Sequence, residues 1–514
     1  MAKSPQYHLL RRAFTAALKP CDEVLTLSRG RLDRRKFLEI SAVVAAGVIT
    51  PGFLPACASM RRRENQPRIA IIGAGIAGLN VAWQLKKRGY AADVYEAAPR
   101  VGGRILTIRN AFAPGLVTEM GGEYIDSEHA DVLKLVQEMR LDLLDTLKGD
   151  DADLAPAVFI DGRLIRDEDI VEAIRPMIAL ITKDIESIRA RDNGRALAAF
   201  DALPMDRYFD RLGIHGWLRG LLDATYVSEF GLDCSDQSTL NFLKFFTANE
   251  DAEWFGLLGE SDERYKIAGG NDQLPNRMME RLNGQVHLEH RLVRAADRQG
   301  GGYRLTLETS GGGTKEVDAD IAVFTLPFAT LRQVELGELA LPAERRKAIQ
   351  ELGYGTCTKV VLGMRERFWR KHKQSGYLFT DRGMQTGWDA SRGQKGTAGM
   401  FTVFSGGREG SALGRGPVTD LIPGILKTIS GPWPEAAGQY TGKHLRMDWE
   451  KAPFALGSYS CFKPGQHAPF AGKIGDPIGR LFFAGEHCSD LYQGYIQGAA
   501  ETGRIAADGI LKLI

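Results

Sequence analysis

The sequence predicts an α/β fold, a parallel sheet with a second, α+β unit inserted into it. Three observations predict this. Residues 68–72, Arg-Ile-Ala-Ile-Ile, form a short apolar run suited to a buried parallel strand. A glycine-rich turn and a segment with helical apolar spacing follow at once. Far down the chain, Leu481–Phe483 is another short apolar run, and it enters a glycine turn at Ala484-Gly485-Glu486. The 514 residues are enough for two domains with sizeable cores.

Composition removes several function classes. Acidic and basic residues nearly cancel, leaving a formal charge of +2. A nucleic-acid footprint needs a clustered basic excess, so no nucleic acid is expected. No apolar run reaches the roughly 20 residues of a transmembrane span. The six cysteines (Cys21, Cys57, Cys234, Cys357, Cys461, Cys488) are scattered. They form no C-x-x-C pair and no zinc-spaced Cys/His cluster, so neither a metal nor a disulfide framework is expected.

The first 58 residues read as an export signal outside the fold. Asp33-Arg-Arg-Lys-Phe-Leu38 precedes an apolar stretch from Ile40 to Ile49, then Pro51, Pro55 and small residues. Arg34-Arg35 followed by Phe37-Leu38 resembles a twin-arginine signal, which implies a periplasmic or extracellular destination for an already folded protein. Ala56-Cys57-Ala58 fits a small-x-small cleavage site. Leu54–Cys57 also resembles a lipobox, which would place a lipid on Cys57.

After the strand at 68–72 comes Gly73-Ala-Gly-Ile-Ala-Gly78. Leu79, Ala82, Trp83 and Leu85 continue at helical spacing, Gly89 ends the helix, and a second strand, Ala92 to Tyr95, runs into Glu96. This is a Rossmann-like unit with its parts in order. Gly73 permits the tight turn, Gly75 lets backbone approach a pyrophosphate, and Gly78 lets helix and strand pack closely. The helix N-terminus at Ile76 and Ala77 offers free N–H groups to the phosphates. Glu96 is placed to accept hydrogen bonds from ribose hydroxyls.

The next residues favour FAD over NAD. Glu96-Ala-Ala-Pro-Arg-Val-Gly-Gly-Arg104 resembles the E-x-x-x-R-x-G-G-R signature of flavin-dependent amine oxidases. The resemblance continues through Glu119–Ile125, Ile267–Pro275, Val286–Val293, Ile321–Pro327 and the closing Leu481–Glu486 with Tyr492–Gly503, all in the family's order. It spans about residues 67–514. It implies flavin contacts at Ala97, Gly103, Arg104, Gly121, Gly122, Glu123, Gly485, Glu486, Ile496 and Gln497, and an adenine contact at Val293. It also implies a discontinuous FAD-binding domain of residues 67–126, 262–340 and 455–514. A mainly helical insertion, 127–261, and a strand-rich one, 341–454, would form the substrate domain, with the active site in the cleft between domains.

Three residues are the candidates for chemistry. Lys359 lies in an apolar strand, Thr356–Leu362, where burial is costly unless something binds it. It falls on the family's lysine, which holds a water near the flavin. Tyr459 and Tyr495 match the positions of two aromatic rings that flank the amine in monoamine-type oxidases, where ring faces orient the substrate and exclude water. Ser458 stands where tethered relatives have the cysteine that bonds FAD, so FAD is expected to be non-covalent.

The implied reaction oxidises a C–N bond in an amine or L-amino acid, with O2 reduced to H2O2. Tyr124 stands where amino-acid oxidases often have a carboxylate-binding arginine, which favours an amine. Tyr354–Lys359 and Gly269–Pro275 look like amino-acid oxidases. Glu123, Asp126 and Glu128 suit either a cationic substrate tail or plain helix caps and a solvated face. A dehydrogenase with a protein or quinone acceptor, an amino-acid monooxygenase and a non-catalytic flavin-binding module are the other readings.

Overall fold

The computed structural model describes residues 66–149, 154–190, 194–243 and 261–514. Arg34, Arg35, Cys57 and the whole export segment lie outside the described residues. Among the described residues no helix is long and apolar enough to cross a membrane.

A five-stranded sheet organises the first domain. Its order is Leu481–Phe483, Ile321–Phe324, Ile69–Ile72, Asp93–Tyr95, Val286–His287. Every pairing is parallel, with Ile69 opposite Ile321 and Ala70 opposite Asp93. All residues of Ile69–Ile72 and Ile321–Phe324 are buried, because both faces of the sheet are covered. That explains why these runs are apolar throughout instead of alternating.

On one face lie helices Ile76–Lys87 and Ile496–Leu511. They touch directly: Asn80 Nδ2 donates to the Ala500 carbonyl at 2.6 Å. The other face carries an antiparallel layer, His290–Asp297, Tyr303–Thr309 and Thr314–Ala319. Its Leu292, Leu305 and Leu307 pack with Ala70, Ile72, Ala322 and Phe324. A bulge falls between Leu292 and Arg294, which leaves Val293 out of the ladder.

The two insertions form one body. Helix Asp167–Arg189 turns Ile170, Ile174, Ile178, Ile181 and Ile185 toward helices Met205–Arg211 and Gly216–Phe230, a stripe at three- and four-residue spacing. The seven-stranded sheet beside them draws on both insertions. Strand Ala155–Ile160 of the first pairs in parallel with Gln374–Thr380 of the second. The first insertion is therefore not helical alone.

Helix Ala130–Glu138 departs from the expected division. Its buried Val132, Leu135 and Val136 enter the core beneath the parallel sheet. Arg504 Nε donates to Asp131 at 2.6 Å, and strand Leu143–Asp145 pairs with Tyr265–Ile267. The structure thus moves the boundary from residue 127 to beyond Asp145, because the apolar face of this helix finds its partners on the dinucleotide side.

The glycine turn is tight for steric reasons. Gly73 has φ +108°, and a methyl on Gly78 would lie 2.0 Å from the Gly73 carbonyl oxygen. Gly78→Ala is expected to lower stability by about 1–3 kcal/mol or to prevent folding. Chemical denaturation measures this, and a variant as stable as the parent would refute the packing.

Candidate cofactor cavity and active site

A cavity of about 420 Å³ starts at the carboxyl ends of the parallel strands and runs toward the inserted domain. Its walls come from both ends of the chain. Gly73, Gly75, Ile76 and Ala77 form one end of it. Gly75 caps helix Ile76–Lys87 without any side-chain hydrogen bond, so the first-turn N–H groups face an open cradle. A Cβ added at Gly75 would meet nothing within 4 Å. Such a cradle suits an anionic pyrophosphate.

Glu96 and Ala97 line the next stretch, with Tyr95, His290 and Leu292 beyond them. Glu96 Oε2 accepts from Ala74 N at 2.7 Å and Oε1 from Ala98 N at 2.8 Å. It therefore shapes the glycine turn as well as facing the cavity. Burial pushes its pKa up against those amide bonds. Val293 does not line the cavity. The strand bulge holds it one position away, its carbonyl accepting from Glu335 N at 2.9 Å, while Leu292 faces inward.

Gly103 and Arg104 line the middle. Sequence reasoning missed how that loop is held. Arg100 donates to the carbonyls of Val101 (3.1 Å), Ile105 (3.0 Å) and Gly103 (2.8 Å), wrapping the turn around its guanidinium. Arg100 is the arginine of the E-x-x-x-R signature, and that motif is the signal that marks it. Arg104 Nη1 donates to the Ser458 carbonyl and to Glu486 Oε1, each at 2.8 Å.

Glu486 closes this end. Its carboxylate also accepts from Ser460 N (3.1 Å), Ser460 Oγ (2.8 Å) and Gly494 N (2.9 Å). Burial opposes the charge, but Arg104 and these donors win and hold its pKa down at about 2. Gly485 and Ile496 line the cavity beside it. Gln497 does not. Its Oε1 accepts from Val132 N at 3.1 Å and its Nε2 donates to Asp131, so it joins two helices instead of meeting a ligand.

Gly122 lines the cavity, whereas Gly121 and Glu123 do not. A methyl on Gly121 would lie 1.9 Å from the Arg104 carbonyl oxygen, so this position serves close packing. Glu123 faces a different set of partners. It accepts from Lys266 Nζ (2.6 Å), Lys359 Nζ (2.9 Å) and Trp388 Nε1 (3.2 Å). Burial opposes its charge, but the two lysines overcome that and lower its pKa.

Lys359 is 2% exposed, so its ammonium does not reach solvent. Its ammonium also donates to the carbonyls of Glu119 (2.9 Å) and Gly121 (3.4 Å), so its charge sits behind the Gly121–Gly122 wall. Lys266 and Trp388 carry no motif and were missed.

Of the two candidate tyrosines, the cavity is lined by Tyr495 only. Tyr495 meets His129 edge-on, with ring centroids 5.3 Å apart. Tyr459 sits behind the wall, its hydroxyl donating to the Ser228 carbonyl at 2.6 Å, in a cluster with Tyr124, Tyr377, Trp388 and Trp449. Trp449 and Phe454 also line this end of the cavity, Trp449 anchored by its indole N–H on the Met120 carbonyl at 3.0 Å.

This arrangement is an elongated cradle for a dinucleotide, ending among aromatic rings at the inserted domain. Comparison with known proteins agrees. Residues 76–511 match the model of the flavin containing amine oxidoreductases. The chain belongs to that family. It is 23% identical to an L-amino-acid oxidase of Demansia vestigiata, covering 87% of each chain. It is 24% identical to an L-glutamate oxidase precursor of Streptomyces viridosporus, covering 87% of this chain and 86% of that one. Wild-type putrescine oxidase bound to putrescine superimposes with a TM-score of 0.74 at 19% identity, over 87% of this chain and 99% of the other. That last likeness establishes the α/β fold. As a flavin containing amine oxidoreductase, the chain holds a flavin, and the cradle at Gly75, the Arg104 turn and the helix end at Ile496 fit one.

Glu486 gives the oxidoreductase an acid-sensitive joint. Its folded pKa lies below the usual value of 4.5, so its contribution is complete above that value. It is lost as pH falls from about 4.5 toward 2, and amounts to roughly 3 kcal/mol. Denaturation midpoints measured across that range are expected to fall steeply for the parent. They should fall less for Glu486→Gln, which starts less stable at neutral pH; equal slopes would refute the role.

Proposed function

We propose that this chain is an FAD-dependent oxidase of a C–N bond in an amine or L-amino acid. The observation that carries the reading is one continuous cavity, running from the Gly75 cradle to Trp449 and Tyr495. Bound FAD supplies a hydride acceptor for the substrate's α-hydrogen, leaving an imine that water hydrolyses, and a two-electron donor to O2 that yields H2O2.

The protein's part is orientation, desolvation and charge. Trp449 and Tyr495 present apolar ring surface where the substrate enters, which excludes water and orients an amine. Lys359 keeps a fixed positive charge behind Gly121–Gly122, compensated by Glu123, in a low-dielectric setting where it is felt strongly. His129, behind Tyr495, stays neutral, since burial lowers its pKa to about 3. Among the described residues no dedicated base stands at the rings, and the substrate amine arrives deprotonated. The Arg34-Arg35 segment supports an exported enzyme, folded before transport.

FAD is held without a covalent bond in this reading. Ser458 Oγ lies toward Gly231, where an added Cβ would approach it to 3.1 Å, and only the Ser458 carbonyl bonds Arg104. Cys461 is buried elsewhere, its sulfur accepting from Asn241 Nδ2 at 3.3 Å. Acid precipitation is expected to release all the yellow colour into the supernatant; flavin pelleting with the protein overturns this.

The activity itself is tested by mixing the oxidised protein anaerobically with a panel of amines and L-amino acids. At least one compound should bleach the flavin, and readmitting O2 should restore the colour with stoichiometric H2O2. Bleaching by none, or recolouring only with an artificial acceptor, sinks the oxidase reading.

A further inference from the structure

Glu263 is the least explained charged group in the described structure. It is 3% exposed, and among the described residues neither of its carboxylate oxygens meets a hydrogen-bond donor. A buried carboxyl left in this state costs free energy and calls for an explanation.

Its surroundings are acidic. The Glu263 backbone N–H donates to Asp126 Oδ1 at 2.9 Å. Asp126, Glu229 and Glu123 all act on Glu263 in the same sense, and Lys266 opposes them. That lysine is already bonded to Glu123, as is Lys359. Arg392 lies farther off, over the ring of Tyr377. Glu229 stands in the last turn of helix Gly216–Phe230, whose C-terminal end adds negative potential. Burial and these carboxylates push the Glu263 carboxyl well above its ordinary range, and Asp126 up to about 7.

The acidic group connects to both candidate tyrosines through neighbouring residues. On one side, Tyr459 is tied to the carbonyl of Ser228, next to Glu229. On the other, Tyr495 meets His129, whose Nε2 lies 3.3 Å from Asp126 Oδ2. These acids stand behind the cavity wall, Asp126 next to His129, and a substrate whose reacting amine lies at Tyr495 would extend its far end past that wall toward them.

We infer that the substrate carries a second, cationic group, and that Glu263 is its counter-ion, with Asp126 and Glu229 supporting it. The inference rests on the C–N oxidase reading and names its substrate class: a diamine or a basic L-amino acid. The cation supplies both what Glu263 lacks, a hydrogen-bond donor and an opposite charge. Glu123, which the sequence suggested for this task, is consumed by its two lysines.

The test is anaerobic stopped-flow bleaching with matched pairs on the flavin-loaded enzyme. One arm compares 1,4-diaminobutane with n-butylamine. The other compares L-lysine with L-norleucine and L-arginine with L-citrulline. In at least one arm the cationic member should win by about 100-fold or more in the ratio of bleaching rate to half-saturating concentration. The winning arm separates diamine from amino acid. Glu263→Gln should cut that ratio to less than about tenfold, mainly through weaker saturation, and Glu263→Asp should keep part of it. Flavin absorbance confirms that each variant is loaded. Neutral members bleaching as well as cationic ones, or an unchanged ratio in Glu263→Gln, overturns the inference while leaving the oxidase reading intact. Bleaching by no member of any pair overturns the oxidase reading and this inference with it.

Discussion

The salt bridge between Glu486 and Arg104 is the constraint on which the cofactor end of the molecule depends. A single buried carboxylate takes hydrogen bonds from Arg104, Ser460 and Gly494. The Arg104 and Gly494 stretches border the cavity, and Ser460 joins them from behind its wall. Charge-assisted bonds of this kind fix geometry as well as energy. With Glu486 in place, the Arg104 turn, the Ser458–Ser460 segment and the start of the last helix have one relative position. Arg100 then needs only local carbonyls to complete the turn.

A second carboxylate does the same at the substrate end. Glu123 gathers Lys266 from the dinucleotide-binding side and Lys359 and Trp388 from the inserted domain. Removing one partner of such a buried pair strands the other, at a cost of about 3–5 kcal/mol. The two domains are therefore locked by charge as well as by the aromatic cluster of Tyr124, Tyr377, Trp388, Trp449 and Tyr459. The cavity crosses this locked junction, which keeps the ring-lined end in register with the phosphate-binding end.

Legibility followed the range of each interaction. Gly73, Gly75, Gly78 and Glu96 were readable because their tasks are local: a turn, a helix end, an acid at the tip of the next strand. Arg104 and Glu486 were each readable as motif members, but their mutual bond was not, since nothing in a linear pattern pairs residues so far apart. Glu123, Gln497 and Val293 show the limit. Each is next to a residue that faces the cavity, and backbone geometry turned each one aside: a strand bulge at Val293, a helix contact at Gln497, two lysines at Glu123. Helix Ala130–Glu138 was assigned to the wrong side because amphipathicity says that a face is buried without saying against what.

The contact between Asn80 and Ala500 joins groups 420 residues apart in sequence, and both flank the dinucleotide cradle. During synthesis, the Gly73–Gly78 turn leaves the ribosome long before the helix that completes it. The cradle is thus finished among the last parts of the fold, after every inserted strand has been made. Long-range closure of this kind is slow and leaves apolar surface exposed meanwhile. Cofactor capture becomes a late checkpoint: a chain that retains its yellow colour has, by that fact, brought its two distant ends together.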